Sequence, residues 1–365
     1  MAKIVSLLPV YILLLISSFV LPVKSSDNMT DMYALLSFKS SIDGDPNGKL
    51  FSWNHSVHHC QWKGVVCGHR HPERVTALNL DSLQFIPEEL GLLGRLKFLN
   101  LSENSLSGNI PSSISNCSKL EVLHIESNHI QGTIPSQLAQ CRELTYISLR
   151  ENSLLGIIPP SLGSIPAEIG RLTNLRILNI YETLLEGTIP LEIGKLSNLQ
   201  WFDLSENMLS GEIPSTISNL TSLNGFLLGG NSFEGKIRMK LCNMKALEVL
   251  SLSSNKLTGA IPKEIMTLTS LSIAIDLSNN YLNSTIPHEI GKLKNVGIII
   301  LSDNRLLGEI PSSIDGCQVL ESLYLGGNLL QGTIPLSMSN LKSLQKLNLS
   351  NNFFSGQIPE LKDPF

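Results

Sequence analysis

Apolar residues recur along this chain as pairs two positions apart, and the pairs themselves recur roughly every two dozen residues. The first member of each pair falls at Leu78, Leu99, Leu123, Ile147, Leu178, Phe202, Phe226, Leu250, Ile275, Ile299, Leu323 and Leu347. The spacings are 21, 24, 24, 31, 24, 24, 24, 25, 24, 24 and 24 residues. Strict alternation at such a pair predicts a short strand that buries two side chains and turns their neighbours outward. One unit cannot bury its own apolar side, so the units must stack on one another into a continuous core. Parallel strands about 4.8 Å apart make twelve units roughly 55 Å long.

The rest of the unit is equally regular. Ten of the twelve carry Asn five residues after the first apolar position: 104, 128, 152, 207, 231, 255, 280, 304, 328 and 352. An Asn amide both donates and accepts, enough to satisfy backbone groups where the chain turns in from the strand. Stacked through successive units it forms a ladder. Gly-x-Ile-Pro follows, as in Gly108 to Pro111 and Gly332 to Pro335. The Gly relieves strain and the Pro fixes φ, which sets a turn and a short extended segment on the flank. Proline at this frequency excludes an array of long helices.

The pattern Leu-x-x-Leu-x-Leu-Ser-x-Asn-x-Leu-Ser-Gly-x-Ile-Pro, seen at residues 96–111 and 199–214, resembles the plant-type leucine-rich repeat. The resemblance runs from about Asp31 to Pro359. It implies an α/β solenoid, a leucine-rich-repeat superhelix with a parallel concave β-sheet. Ahead of the repeats, Asp31, Ala34, Leu35, Leu36, Phe38 and Lys39 lead to Leu50, Ser52, Trp53 and Asn54, then to Cys60-Gln61-Trp62-Lys63-Gly64-Val65-Val66-Cys67. This segment resembles the amino-terminal cap of plant receptor-like kinase ectodomains. A terminal repeat exposes its core unless something covers it. The cap implied is an apolar helix around Ala34 to Ser40 with Trp53 and Trp62, closed by a Cys60–Cys67 disulfide. The segment from Trp62 to Leu80 is most similar to grass receptors related to the rice bacterial-blight resistance receptor kinase. The organisation expected is a leader at 1–26, the cap at 27–74 and about twelve repeats over 75–365, the last incomplete.

Several units break the rule. The first is short, with Leu83 in place of the Asn and no Gly before Ile86-Pro87. The fourth is seven residues too long, where Ile158 to Ser164 is nearly repeated by Ile165 to Gly170. The extra copy is expected to bulge from the convex flank while the strands keep register. Thr183 stands in for the ladder Asn, Arg238 for a Pro and Ser284 for a Gly. The chain stops at Phe365 partway through a repeat, with no paired-cysteine cap after it. With the resemblance, this reads as a receptor ectodomain cut before its transmembrane and kinase parts.

Composition narrows the class. The 365 residues are 42% hydrophobic and 16% charged, with a net charge of -4. That is too apolar for a disordered chain and lacks the basic excess of a nucleic-acid binder. Lys3 and the apolar run Leu7 to Leu21 read as a secretory signal, with small-residue cleavage sites at Val23 to Ser26. Downstream, the longest apolar stretch, Val296 to Leu301, is too short to cross a bilayer. A secreted or cell-surface protein is expected. Asn-x-Ser/Thr sequons at Asn28, Asn54, Asn100, Asn116, Asn219, Asn283 and Asn348 agree, each a candidate glycosylation site.

The sequence holds no catalytic set. There is no glycine-rich loop followed by a catalytic lysine, no His-Arg-Asp and no Asp-Phe-Gly, so the kinase that the resemblance implies is absent from this chain. The Gly229-Gly230 and Gly326-Gly327 pairs fall at strand edges and not before a helix, so no nucleotide or other cofactor is expected. His55, His58, His59, His69 and His71 lie near Cys60 and Cys67, but the spacing matches no zinc finger, and no metal is expected. Cys117, Cys141 and Cys317 occupy the place where other units put Leu172, Leu196, Leu220 and Leu341, and so read as buried thiols replacing leucine. Cys242 is off this position.

The candidate site is the concave face, where one patch gathers His124, Glu126, Tyr146, Arg150, Tyr181, Trp201 and Asp203. Aromatics and Arg are the residue types that anchor protein interfaces. Later repeats expose mainly Gly and Ser, such as Gly229, Ser253, Ser278 and Gly326, until Tyr324. The function expected is recognition of a peptide, microbial or protein ligand, with a possible co-receptor ectodomain, in immune or developmental signalling. Two alternatives stand beside it: a secreted inhibitor similar to polygalacturonase-inhibiting proteins, and a non-signalling remnant of a receptor-like kinase.

Overall fold

The computed structural model describes residues 27–40, 48, 50–71, 73–80, 84–155 and 165–358. The expected leader, Leu83, the first copy of the near-duplication and the carboxy-terminal residues from Pro359 lie outside them.

The pairs of apolar positions form one side of a long curved sheet. Its twelve parallel strands begin at Val75–Asn79 and Phe98–Asn100 and end at Ser322–Tyr324 and Lys346–Asn348, each strand hydrogen-bonded to the next unit's. The register never slips by a residue, because Leu78 pairs with Leu99, Leu99 with Leu123, and so on to Leu323 with Leu347. A one-residue slip would turn every buried leucine outward. The pair positions from Leu78 to Leu325 are buried, while Leu347 and Leu349 of the last unit are half-buried.

The Asn ladder forms as expected. Each of the ten Asn side chains shares its amide N–H groups among three backbone carbonyls, as Asn128 does with Leu101, Ile125 and Glu126 at 2.9, 3.3 and 3.0 Å. Its Oδ1 accepts from the previous unit, as Asn128 does from the Leu106 N–H at 3.0 Å. The residue just before the Asn takes a left-handed backbone, with φ of 55° at Glu103 and 52° at Ser254. Gly230 and Gly327 sit at that same position with φ of 66° and 67°, which accounts for the second glycine of each Gly-Gly pair.

Beyond the turn, the conserved geometry of Ile-Pro starts a short 3-10 helix on the convex side. Pro111, at φ −69°, precedes the helix Ser112–Asn116. Arg238, which replaces a Pro, adopts nearly the same backbone, φ −83° and ψ 135°, and forms an ion pair with Glu212 of the preceding unit. Three of the helices end on Cys117, Cys141 and Cys317, fully buried where other units bury Leu. Burial pushes the thiols of Cys117 and Cys317 up to about 12 and that of Cys141 to about 11. Cys242 lies inside the helix Met239–Asn243, half-buried, and Met244 takes the leucine place instead.

The long fourth unit does not disturb the sheet. Tyr146 pairs with Ile177 and Ile147 with Leu178 across the extra residues, and Leu155 bridges to Leu184 on the flank. The strands keep register, as the sequence leads one to expect. The bulge expected for the extra copy falls on residues 156–164, outside the described residues.

The flank carries narrower parallel strands in two parts. A five-stranded part ends at Tyr281–Leu282, and a three-stranded part begins at Leu307–Gly308. Between the two parts, at Ser284, backbone hydrogen bonds still join the units, the Arg305 N–H donating to the Leu282 carbonyl at 2.8 Å and the Leu307 N–H to the Ser284 carbonyl at 3.2 Å. In the other units this place holds a Gly at positive φ, such as 78° at Gly259 and 79° at Gly308, and Ser284 does not adopt it.

The amino-terminal end is closed by the helix Asp27–Ser40. Ala34, Leu35 and Phe38 are buried on it, and the Trp53 and Trp62 rings stack at 5.3 Å beneath. Lys39 Nζ donates to the carbonyls of Leu50 and Trp53, both at 2.9 Å. Cys60 and Cys67 are disulfide-bonded. The strand Val65–Cys67 runs antiparallel to Val75–Asn79 and joins the cap to the sheet. Asp31, fully buried, accepts from Arg74 Nε at 3.0 Å and from the Val75 N–H at 2.7 Å.

Candidate functional site on the concave face

Side chains on the concave face stand in lanes, because each position of the unit repeats one strand along. The position before the buried pair gives Phe98, Val122, Tyr146, Ile177 and Trp201, side by side on successive strands. All five are half-buried. The His124 and Tyr146 rings stack at 4.4 Å, and Phe98 tilts onto His124 at 5.9 Å. Burial lowers the His124 imidazole below its ordinary value, and the Arg150 charge adds to that against the pull of Glu126. Burial likewise raises the Tyr146 phenol.

A second lane, past the strand ends, holds Glu126, Arg150 and Tyr181. Arg150 is the hub. Its Nε donates to Glu126 Oε2 at 2.8 Å, and its Nη1 to Glu151 Oε1 and the Tyr181 oxygen, both at 2.5 Å. Tyr181 in turn donates to Glu151 at 3.0 Å. Ser148 and Ser127 donate to Glu126 and Glu151 at 2.7 and 2.6 Å. Burial works to raise the Glu126 carboxyl, but the hydrogen bonds from Arg150 and Ser148 outweigh it and hold the group below its usual range. The Ser127 and Tyr181 hydrogen bonds do the same for Glu151.

The seven residues singled out in the sequence therefore divide. His124, Glu126, Tyr146, Arg150 and Tyr181 form two adjoining clusters. Trp201 stands apart in the aromatic lane with its indole over Gly225, where a Cβ would come within 2.4 Å of the ring. Asp203 is recessed, and its Oδ1 accepts from the N–H and hydroxyl of Ser205 at 3.0 and 2.6 Å. It closes the end of its strand, as Asp276 does with Ser278. Burial raises its carboxyl pKa above the ordinary value despite the Ser205 hydrogen bonds.

Sequence reasoning missed Phe98, Val122, Ile177 and Glu151. The first three were legible by counting one position back from each buried pair. Glu151 was not, because its side chain reaches the patch only from a left-handed turn, φ 54°. The later repeats are also less bare than expected. Leu227, Val249, Ile298 and Ile300 are half-buried on the concave side, with Ile300 paired to Tyr324. Among the described residues, His58, His59 and Cys60 lie close enough to share an ion, but the Cys60 sulfur is in the disulfide and His59 Nε2 bonds the Glu73 carbonyl at 2.9 Å.

Known families match the cap and the repeats in turn. A leucine rich repeat N-terminal domain matches residues 28–68, a leucine-rich repeat region residues 163–283, and a leucine rich repeat residues 94–154 and 294–354. The ectodomain of the Arabidopsis receptor kinase HAESA, solved with an IDA peptide hormone ligand, superposes with a TM-score of 0.65 at 30% identity, over 92% of this chain and 67% of that one.

The chain belongs to the plant leucine-rich-repeat receptor kinase ectodomains.

Within this family, the PEPR1–AtPEP1 structure matches 90% of the chain and 49% of its own length, with a TM-score of 0.78 and 33% identity. The receptor kinase-like protein Xa21 of Oryza sativa subsp. japonica is 49% identical over 82 residues, 20% of this leucine-rich-repeat chain. Those matched residues span only 8% of that protein, and the chain spans about half of the PEPR1 structure. No helix among the described residues is long and apolar enough to cross a membrane.

Proposed function

We propose that this ectodomain works outside the cell and captures an extended peptide, microbial or endogenous, across its concave face. The observation that carries the reading is the pair of adjoining clusters, the Phe98–His124–Tyr146 stack and the Arg150 hub, side by side on successive strands of the concave sheet. Rings and apolar side chains from Phe98 to Trp201 offer five successive apolar seats, and the hub beside them offers charge fixed in place. The HAESA ectodomain named above was solved with a peptide hormone ligand, which supports a ligand of that class here. The amino-terminal leader pattern and the sequons support the compartment. The sequence has no catalytic set, so the part played by this chain is recognition, with signalling left to a partner or to another domain.

The test is capture from a phage-displayed library of linear peptides by residues 27–365, followed by Tyr181→Ala and Trp201→Ala. Each substitution is expected to abolish capture of the selected peptides while secretion stays at the level of the unsubstituted chain. Unchanged capture by both variants would refute the site.

A further inference from the structure

The left-handed turn that precedes each ladder Asn is held, in the first half of the solenoid, by residues ill suited to it. Glu103, Glu151, Glu182 and Glu206 occupy it at φ of 55°, 54°, 53° and 51°. Later units more often put Gly or Asn there, as at Gly230, Asn279, Gly327 and Asn351, the residue types that tolerate this backbone. Three of the glutamates stand on successive units, where the Glu151 N–H donates to the Tyr181 carbonyl and the Glu182 N–H to the Ser205 carbonyl, both at 3.0 Å. Like charges on neighbouring units repel one another, so the stack gains nothing from them.

The row is not neutralised from within. Together with the lane of Glu126 beside it, the row holds five glutamates between residues 102 and 206, and Arg150 is the one cation among them. Arg150 is taken up by Glu126 and Glu151. The carboxylates of Glu103, Glu182 and Glu206 are exposed and have no hydrogen-bond or ion-pair partner among the described residues. Glu206 leans instead over the next unit, where a Cβ on Gly230 would collide with its carboxylate.

Across the face from this row runs the apolar lane from Phe98 to Trp201. The lane lies at the strand starts and the glutamates just past the strand ends, as with Trp201 and Glu206 on either side of the strand Trp201–Asp203. Between them, Asn179 is half-buried and its Oδ1 has no hydrogen-bond partner. Asn100 and Asp203, at the same place on their strands, each accept from the Ser N–H two residues on at 3.0 Å. Turned outward, the Asn179 carbonyl accepts from a backbone N–H laid along the face.

An extended peptide lying along the solenoid turns successive side chains to opposite edges of the face. One set meets the apolar lane and the other the glutamates. At about 3.3 Å per residue, the roughly 20 Å from Phe98 to Trp201 takes about six residues. Lysine or arginine answers the second edge, because a charged hydrogen bond to a free carboxylate is stronger than a neutral one and a cation between the glutamates relieves their repulsion.

We propose that the concave face selects a cationic peptide in which basic and apolar residues alternate over about six positions, with Glu182 and Glu206 as the residues that set this specificity. The proposal rests on the peptide reading above and gives that ligand its charge and pattern.

The test pans the library of linear peptides on residues 27–365 in physiological salt and sequences what is captured. Peptides with alternating Lys or Arg and apolar residues are expected. Captured peptides with no excess of basic residues overturn this proposal alone, and no capture at all overturns the peptide reading with it. A selected peptide is then synthesised and titrated against Glu182→Gln and Glu206→Gln, each expected to weaken binding about fivefold and, together, to flatten its salt dependence. Both side chains are exposed and unbonded, so the melting transition is expected to stay at the parent value. Gln in place of the peptide's own basic residues is expected to give the same loss on the unsubstituted chain, which makes the result independent of how the variants fold. Equal binding in all these arms overturns the role of the two glutamates. A scrambled peptide of the same composition that binds as tightly overturns the alternation.

Discussion

Arg150 Nε and Glu126 Oε2, one strand apart, lie 2.8 Å from each other at the centre of the concave patch. The pair is partly exposed, so its own worth is modest, about 0.5–1 kcal/mol in a double-mutant cycle of Arg150→Met and Glu126→Gln followed by thermal melts. Its larger effect is on shape. With Arg150 replaced, Glu126 and Glu151 face each other without the cation between them, and Tyr181 keeps only Glu151 of its two partners. Arg150→Met is expected to weaken peptide capture at least as much as Tyr181→Ala, and equal capture to the unsubstituted chain would show that the hub is not part of the site.

The His124 stack makes the fold sensitive to mild acid. Its folded-state value is held below the ordinary 6.5, so the neutral ring is the favoured form and the unfolded chain binds more protons as pH falls. The stabilisation is fully present above pH 6.5 and is lost as pH drops through the lower folded value. His59, also lowered by burial, acts in the same direction from the cap. Melting of the His124→Gln variant between pH 7.5 and about 5 is expected to fall less steeply than that of the parent. Parallel curves would mean that the ring titrates without strain.

The ladder predicts one gain and one loss. Asn255 is buried, donates to three carbonyls and accepts from the Phe233 N–H at 2.9 Å. Asn255→Ala is expected to cost about 2–4 kcal/mol in urea unfolding, the price of stranding several buried backbone groups. Thr183 is buried in the same place but its hydroxyl donates to Asn207 Oδ1 at 2.5 Å and cannot serve three carbonyls. Thr183→Asn is expected to add about 1 kcal/mol.

Asp31 ties the cap to the first repeat through a fully buried carboxylate. Asp31→Ala leaves the Val75 N–H and the Arg74 guanidinium without that partner, and is expected to cost about 3–5 kcal/mol. Limited proteolysis that releases the cap before the repeats are cut would locate the loss at this joint.

Most of the architecture was legible because it rests on repetition. Each buried pair, each ladder Asn and each Pro recurs twelve, ten or nearly as many times in the sequence, so chance matches cancel. The cap came from its resemblance, and the disulfide with it. The short convex helices were not foreseen, since a five-residue 3-10 turn leaves too brief a pattern to separate from a loop. The site was harder to read. Tyr146 and Trp201 stand out by residue type, but Phe98 and Ile177 matter only through their neighbours, and Asp203 looked available until its bonds to Ser205 were seen.

The ladder also has a direction. Asn128 completes the turn of the unit before it, through Leu101 and Leu106, and leaves its own turn for Asn152 to complete. On the ribosome, therefore, each unit emerges with its turn unfinished and waits for its successor. At about 5–20 residues per second the wait is about one to five seconds per unit, and the nascent chain always carries one open turn behind the exit tunnel. Assembly proceeds one unit in arrears from the capped end.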